Sequence, residues 1–389
     1  MRKNEKGGAA AVAIMVIIMI VAVICTVLVV TGRFAIKKTD VENDVKASSS
    51  EAESSSEEIS ETDLSSVAPE PEPVNLYPTK SADYHEIDLD DITCSEAILI
   101  NADTNEIIAG LNYEKQIYPA SLTKILTLMV AVENIDDLKA TYKFTEDDID
   151  PLVEDNASMV GFEPGEEVTV EDLLYGTILV SGADATTGLA NYISGSEAEF
   201  VKLMEQKLID LGLNNTTKFV NATGLHDKNH YTTVQDVAVL TKAAMESETC
   251  KKILTTSSYT TSKTEAHPDG IEMTSIVLSR YAGYYIDTNG DNEGDADMIG
   301  GKTGFTDEAM YTMSSIIDKD GTTYICVVAQ SEGDIICTED TIAICENYIN
   351  YVEKKPAAAE EEENTDTEEK QDDTEAHPVG ESDTIKVGA

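Results

Sequence analysis

Tryptophan is absent from this 389-residue chain and phenylalanine occurs only six times, so sixteen tyrosines carry most of its aromatic surface. Basic residues are scarce as well: 27 Lys plus Arg stand against 74 Asp plus Glu, a formal charge of −47. A surface that negative repels a phosphate backbone, whose binding rests on basic contacts, and this excludes a nucleic-acid partner. The six cysteines, Cys25, Cys94, Cys250, Cys326, Cys337 and Cys345, are too few for a disulfide scaffold at this length and form no CxxC pair. They read as mostly buried thiols. Of only five histidines, His226 and His230 stand close together, but no third ligand follows at a zinc-binding spacing, so no metal centre is expected there. What the chain does have is 41% hydrophobic residues, enough to fill the core of one large domain or two small ones.

Ala9 to Val30 is apolar or small throughout except for Thr26. At 1.5 Å per residue such a helix is roughly 33 Å long, the thickness of a bilayer core. No Ala-x-Ala site closes the run, which favours an uncleaved transmembrane anchor over a secretory signal, with residues 1–8 as a short tail before it. Flanking charge does not orient it, because Arg2, Lys3 and Lys6 are matched by Arg33, Lys37 and Lys38. Residues 31–91, rich in Ser, Glu and Asp with Pro69, Pro71 and Pro73 among them, read as a disordered acidic stalk, and residues 353–389 as a disordered acidic tail. The folded part is then 92–352, itself acidic with 44 Asp plus Glu and 15 Lys plus Arg.

Within it, Ala97 to Ile100 and Glu106 to Leu111 flank Asp103-Thr104-Asn105 as a hairpin would. Helical spacing follows in Ser121 to Val132, Val170 to Val180, Asp184 to Tyr192, Glu197 to Leu211 and Thr233 to Met245. Strand character returns in Thr274 to Leu278, Met298 to Thr303, Met310 to Ile317 and Thr323 to Ala329, before a last helix from Thr338 to Tyr351 with Thr338 as its cap. Strands, then helices, then strands predict an α+β domain. An antiparallel sheet is completed by both ends of the chain and flanked by helices, with a mostly helical inserted subdomain.

Ser121-Leu122-Thr123-Lys124 puts a hydroxyl at a helix start with an amine three residues on, on the same face. A serine needs a nearby base to become a nucleophile, and a lysine serves once burial and a neighbouring cation lower its pKa. Alone the pair is weak, since S-x-x-K arises by chance about once or twice in such a chain. Two further stretches change that: Ser181-Gly182-Ala183, some sixty residues later, and Lys302-Thr303-Gly304-Phe305 on a predicted strand. The second offers a cation, a hydroxyl and a glycine that admits close approach to the backbone, a combination suited to an extended peptide ending in a carboxylate.

In this order and spacing the three stretches resemble the penicillin-recognising serine enzymes with S-x-x-K, S-x-N and K-T-G motifs. The resemblance is closest to the D-alanyl-D-alanine carboxypeptidases of the low-molecular-mass penicillin-binding type, which have the β-lactamase/transpeptidase-like fold. Ala97 to Thr104, Gly165 to Leu174 and Phe219 to Leu225 also look like stretches of that family, so the likeness covers nearly all of Ala97 to Tyr351. It implies that Ser121 attacks the carbonyl between the two terminal D-alanines of a peptidoglycan stem peptide, that Lys124 takes its proton, and that Ser181 relays a proton to the departing D-alanine. Lys302 and Thr303 would hold the terminal carboxylate, with Lys302 also repelling the charge on Lys124. The backbone amides of Ser121 and Phe305 would form the oxyanion hole, and Gly304 would let the substrate approach. The resemblance implies no cofactor, β-lactams as inhibitors, and a single-pass cell-membrane protein with its catalytic domain extracytoplasmic and residues 1–8 cytoplasmic.

Ala183 departs from the pattern, for the family has Asn there. A missing neutral hydrogen bond predicts weaker acylation, at about 0.5 to 1.5 kcal/mol. The acidic tail begins soon after Tyr351, so the β-rich C-terminal domain of many relatives is expected to be absent and the membrane tie to be N-terminal. A β-lactamase of the same fold and a catalytically weak wall-binding relative stand as alternatives. The acids from Asp287 to Asp297 alternate as in a calcium loop, but Asn292 and Met298 stand where such a loop needs Gly and Glu, which favours a solvated acidic turn.

Overall fold

Residues 76–88, 90 and 92–351 are described in the computed structural model. The apolar run 9–30, most of the expected stalk and the acidic tail lie outside them. In chain order the first elements are β1 (Thr79–Glu86), β2 (Glu96–Asn101), β3 (Glu106–Leu111) and a 3-10 turn (Ala120–Thr123) that runs into α1 (Lys124–Glu133). The helical middle holds β4 (Thr141–Lys143), α2 (Glu146–Glu154), β5 (Glu167–Thr169), α3 (Val170–Leu179), α4 (Ala183–Ser194), α5 (Glu197–Asp210), α6 (Val234–Met245) and α7 (Glu248–Leu254). The chain then forms β6 (Ser258–Thr260), β7 (Glu272–Thr274), α8 (Ile276–Tyr281), β8 (Asp297–Thr306), β9 (Met310–Lys319), β10 (Thr322–Ser331) and α9 (Asp334–Tyr348).

The main sheet runs β1-β3-β2-β10-β9-β8, so chain segments some two hundred residues apart meet where β2 pairs with β10. The predicted hairpin forms between β2 and β3. Its turn is built by the Asn101 side chain, which accepts from the amides of Asp103 and Thr104, and by Asn105 in the left-handed region. Both faces of the sheet are covered, and the period of two along each strand divides the core. Ile98, Ile100, Ile325 and Val327 pack with α1, α3 and α6, whereas Ala97, Leu99, Cys326 and Val328 pack with α8 and α9. Each fully buried Leu or Ile there contributes roughly 1.5 to 3 kcal/mol. Four thiols, Cys94, Cys326, Cys337 and Cys345, share the second layer, and the five cysteines among the described residues are all free and buried.

Three expectations need correction. The folded part does not begin at Ile92: Thr79–Glu86, read as the end of the stalk, is an edge strand pairing parallel with β3, from Thr79 opposite Glu106 to Glu86 opposite Gly110. That makes the sheet mixed and not purely antiparallel. Its polar sequence follows from its place, since most of its side chains are exposed or half-exposed. Thr274 to Leu278 is not a strand; Ser275 accepts from the Leu278 amide and starts α8 after the three-residue β7. Finally, α9 starts at Asp334 and not at Thr338, because Gly333 is the cap. Asp340 is thereby inside the helix, where its buried carboxylate accepts from the amides of Thr93 and Cys94 and the hydroxyls of Thr93 and Ser331 at 2.7 to 3.1 Å.

Candidate active site

The serine of the first stretch stands in a strained turn. Pro119, with φ −75°, leads into Ala120 at φ +47°, a left-handed conformation that costs an L-residue roughly 1 to 2 kcal/mol. The 3-10 turn that follows brings Ser121 and Lys124 together, and Lys124 Nζ donates to Ser121 Oγ at 3.0 Å and to the Thr223 carbonyl at 2.6 Å. Lys124 is 2% exposed. Burial lowers its pKa to about 7, against the opposing pull of the Asp184 and Glu197 carboxylates. A large fraction of the amine is therefore neutral near pH 7, as a base requires.

Ser181 lies in the short link between α3 and α4, also left-handed at φ +61°. Its Oγ accepts from Lys302 Nζ at 2.9 Å, and the same ammonium donates to the Thr303 carbonyl at 2.7 Å. Burial, and after it the nearby charges of Lys124 and Arg280, push the Lys302 pKa well below its ordinary value. The repulsion expected to act on Lys124 thus registers on Lys302; burial is what lowers Lys124.

The third stretch arrives on β8, the outer strand of the sheet, which leaves one of its edges free for an extended chain. Gly304 is where that strand touches the nucleophile's turn: a Cβ there would sit 2.9 Å from the Pro119 carbonyl and 3.0 Å from the Ser121 amide. The Ser121 N–H, at the start of a 3-10 turn, has no acceptor within it. Phe305 beside it is half-exposed.

These pieces border one cleft of about 660 Å³, lined among others by Ser121, Lys124, Ser181, Ala183, Thr303, Gly304 and Phe305. Lys302 lies beneath it, joined through Ser181. Three distant stretches of chain thus meet, as their spacing implies. Ala183 does line the cleft without a polar group to offer, and its neighbour Asp184 faces elsewhere. The Asp184 carboxylate is fully buried and accepts from the amides of Val160, Gly161, Phe162 and Ala185 at 2.9 to 3.2 Å, so it shapes the loop of residues 158–162.

Sequence reasoning missed Arg280. It projects from the end of α8 into the lining of the cleft, its Nη1 buried and without a hydrogen-bond partner among the described residues. The available signal was rarity, since Arg2, Arg33 and Arg280 are the only arginines in the chain. At the rim, Tyr118 lies edge-on to His226, their ring centres 4.8 Å apart, and His226 Nδ1 is 3.5 Å from Glu308. His230 is instead buried beneath the turn, so the two histidines serve different places. Among the described residues no group of His, Cys, Asp and Glu could hold a metal ion. Two acids of the 287–297 turn are engaged within the protein: Asp287 accepts from the amides of Asn289, Gly290 and Asn292, and Asp295 from Thr288 and Lys319.

Residues 81–333 match the family model of D-alanyl-D-alanine carboxypeptidases. The chain belongs to that family. It is similar to the D-alanyl-D-alanine carboxypeptidase DacF of Bacillus subtilis, with 33% identity over 60% of this chain and 56% of the relative. To DacC of Escherichia coli, a protein of the same description, it is 34% identical over 43% of each. The chain thus spans about half the length of these curated relatives. Among solved structures, the DD-transpeptidase of Streptomyces K15 superposes with a TM-score of 0.57 at 26% identity, covering 66% of this chain and 98% of that one.

Proposed function

We propose that this protein is a serine-type D-Ala-D-Ala carboxypeptidase that removes the terminal D-alanine from peptidoglycan stem pentapeptides through an acyl-enzyme on Ser121, and that β-lactams inhibit it by acylating the same residue. One observation carries the reading: the Lys124 amine, buried and lowered to about 7, lies 3.0 Å from Ser121 Oγ at the foot of an open cleft.

In this mechanism neutral Lys124 accepts the Ser121 proton as Oγ attacks the carbonyl carbon. The developing oxyanion meets the amides of Ser121 and Phe305; removing one such donor from serine hydrolases costs about 3 kcal/mol. Ser181, held by the hydrogen bond from Lys302, relays the proton taken by Lys124 to the departing amine, which returns Lys124 to its neutral form. Thr303 and Lys302 receive the terminal carboxylate, and the Arg280 guanidinium, whose Nη2 lies 3.8 Å from Asp334, adds positive charge at the cleft. Water then cleaves the acyl-enzyme. Among the described residues the carboxylates that line the cleft are Asp155 and Asp307. Because the proposed substrate lies outside the cytoplasmic membrane, we place the domain there, tethered by the apolar run 9–30 and spaced from the bilayer by the acidic segment after it.

Mass spectrometry after exposure to penicillin tests the reading. A stable adduct of the antibiotic's mass is expected on the Ser121 peptide, with release of D-alanine from a pentapeptide, and Ser121→Ala should lose both. An unmodified protein that also leaves the pentapeptide intact would sink the proposal, and rapid penicillin turnover would indicate a β-lactamase.

A further inference from the structure

His230 is 2% exposed and none of the steps above employs it. Its hydrogen bonds nevertheless have only one possible direction. The Val220 amide can only donate, so His230 Nδ1, 3.2 Å away, is the acceptor and the ring proton is on Nε2. That Nε2–H donates to Thr123 Oγ1 at 2.7 Å, and the Thr123 hydroxyl donates its own hydrogen to the Ala120 carbonyl, which can only accept, at 2.8 Å. The line ends on the residue that carries the left-handed bend immediately before Ser121.

The surroundings hold this line in place. Phe219 stacks on the imidazole with ring centres 4.7 Å apart. Gly224, at φ +79°, lies so close that a Cβ would stand 2.0 Å from the Ala120 carbonyl oxygen. Burial pushes the His230 pKa down to about 4, which keeps the ring in the neutral form this direction requires. The same loop supplies the Thr223 carbonyl that Lys124 binds, and Thr127 of α1 ties to Ala222 at 2.8 Å. One loop therefore grips both the base and the bend that aims the nucleophile.

We propose that the buried His230–Thr123 pair is a positioning device: by fixing the Ala120 carbonyl it holds the bend that presents Ser121 Oγ to Lys124. The proposal rests on the acyl-enzyme reading above. It acts on the geometry of attack and not on binding, so its removal should slow acylation without loosening the prior non-covalent complex.

Thr123 is the working position, because Thr123→Val removes the hydroxyl with little change of shape. Penicillin acylation is followed at saturating concentrations, so that the dissociation constant of the first complex and the acylation rate constant are obtained separately, with melting temperatures measured alongside. Thr123→Val should lower the acylation rate constant about tenfold or more while the dissociation constant stays within about threefold, and Thr123→Ser should recover most of the rate. Adding His230→Phe to Thr123→Val should cost little more than Thr123→Val alone, as expected of residues acting in one chain. An unchanged acylation rate in Thr123→Val, or a loss that Thr123→Ser shares in full, overturns the proposal. Acylation of the unaltered protein is the control that separates that result from a failure of the functional reading.

Discussion

Lys124 acts as a base only when neutral, and its environment decides the pH at which that happens. An exposed lysine would hold its proton to above pH 10; burial brings this one to about 7. The sign of the pH dependence follows: protonation removes the base, so activity is lost as pH falls through about 7. The rate of acylation by penicillin, measured from pH 5 to pH 9, should show an acid limb with a midpoint near 7 and a slope of about tenfold per pH unit below it. A flat profile down to pH 5 would mean that another group takes the proton. Ala183 marks the opposite case, a cleft position where the chain gives up a polar contact. Asp184 cannot compensate, because its carboxylate is committed to four backbone amides.

Among the elements, β8 and the 3-10 turn are in direct contact, with glycine as the only residue that fits between them. Gly304→Ala would drive a methyl group to 2.5 Å from the Thr312 hydroxyl and to about 3 Å from the Pro119 carbonyl and the Ser121 amide. Separating the two by a few tenths of an ångström disturbs both the nucleophile and its oxyanion donor. Acylation by penicillin should fall about tenfold or more, with far-ultraviolet circular dichroism unchanged; a variant acylated at the normal rate would show that the turn yields freely. Helices such as α3, α5 and α6 were legible in the sequence because each begins at a Ser or Thr whose side chain caps it and then keeps apolar spacing. Two elements were not. Ile276-Val277-Leu278 is apolar and β-branched, a strand's composition, and only the cap at Ser275 turns it helical. An edge strand such as β1 buries too little to show a period of two. The motif residues of the site were legible for a different reason: their identities are fixed by chemistry. Arg280, His230 and the Thr223 carbonyl enter through tertiary contacts that no local spacing encodes.

At the scale of the whole molecule, the acidic domain places three of its few basic residues, Lys124, Lys302 and Arg280, at a single cleft. Of these Arg280 keeps its charge at every working pH, so an anionic chain end meets a fixed cation there. The sheet that supports this cleft is finished at its far edge by β1, which also follows Tyr77, whose hydroxyl reaches Asp236 on α6 at 2.9 Å. Deleting residues 76–88 from the full chain should therefore lower the melting temperature by several degrees, the equivalent of about 1 to 3 kcal/mol. A melt superimposable on that of the intact chain would show that the strand adds nothing.

The layer between that sheet and α9 holds Cys94, Cys326, Cys337 and Cys345, all buried and unbridged. They come from distant segments, Cys94 preceding Cys326 by more than two hundred positions. A chain oxidised while still unfolded would bring a cystine to a layer that is packed around free thiols. Renaturation from denaturant is therefore expected to recover more native protein with a reductant present than without one.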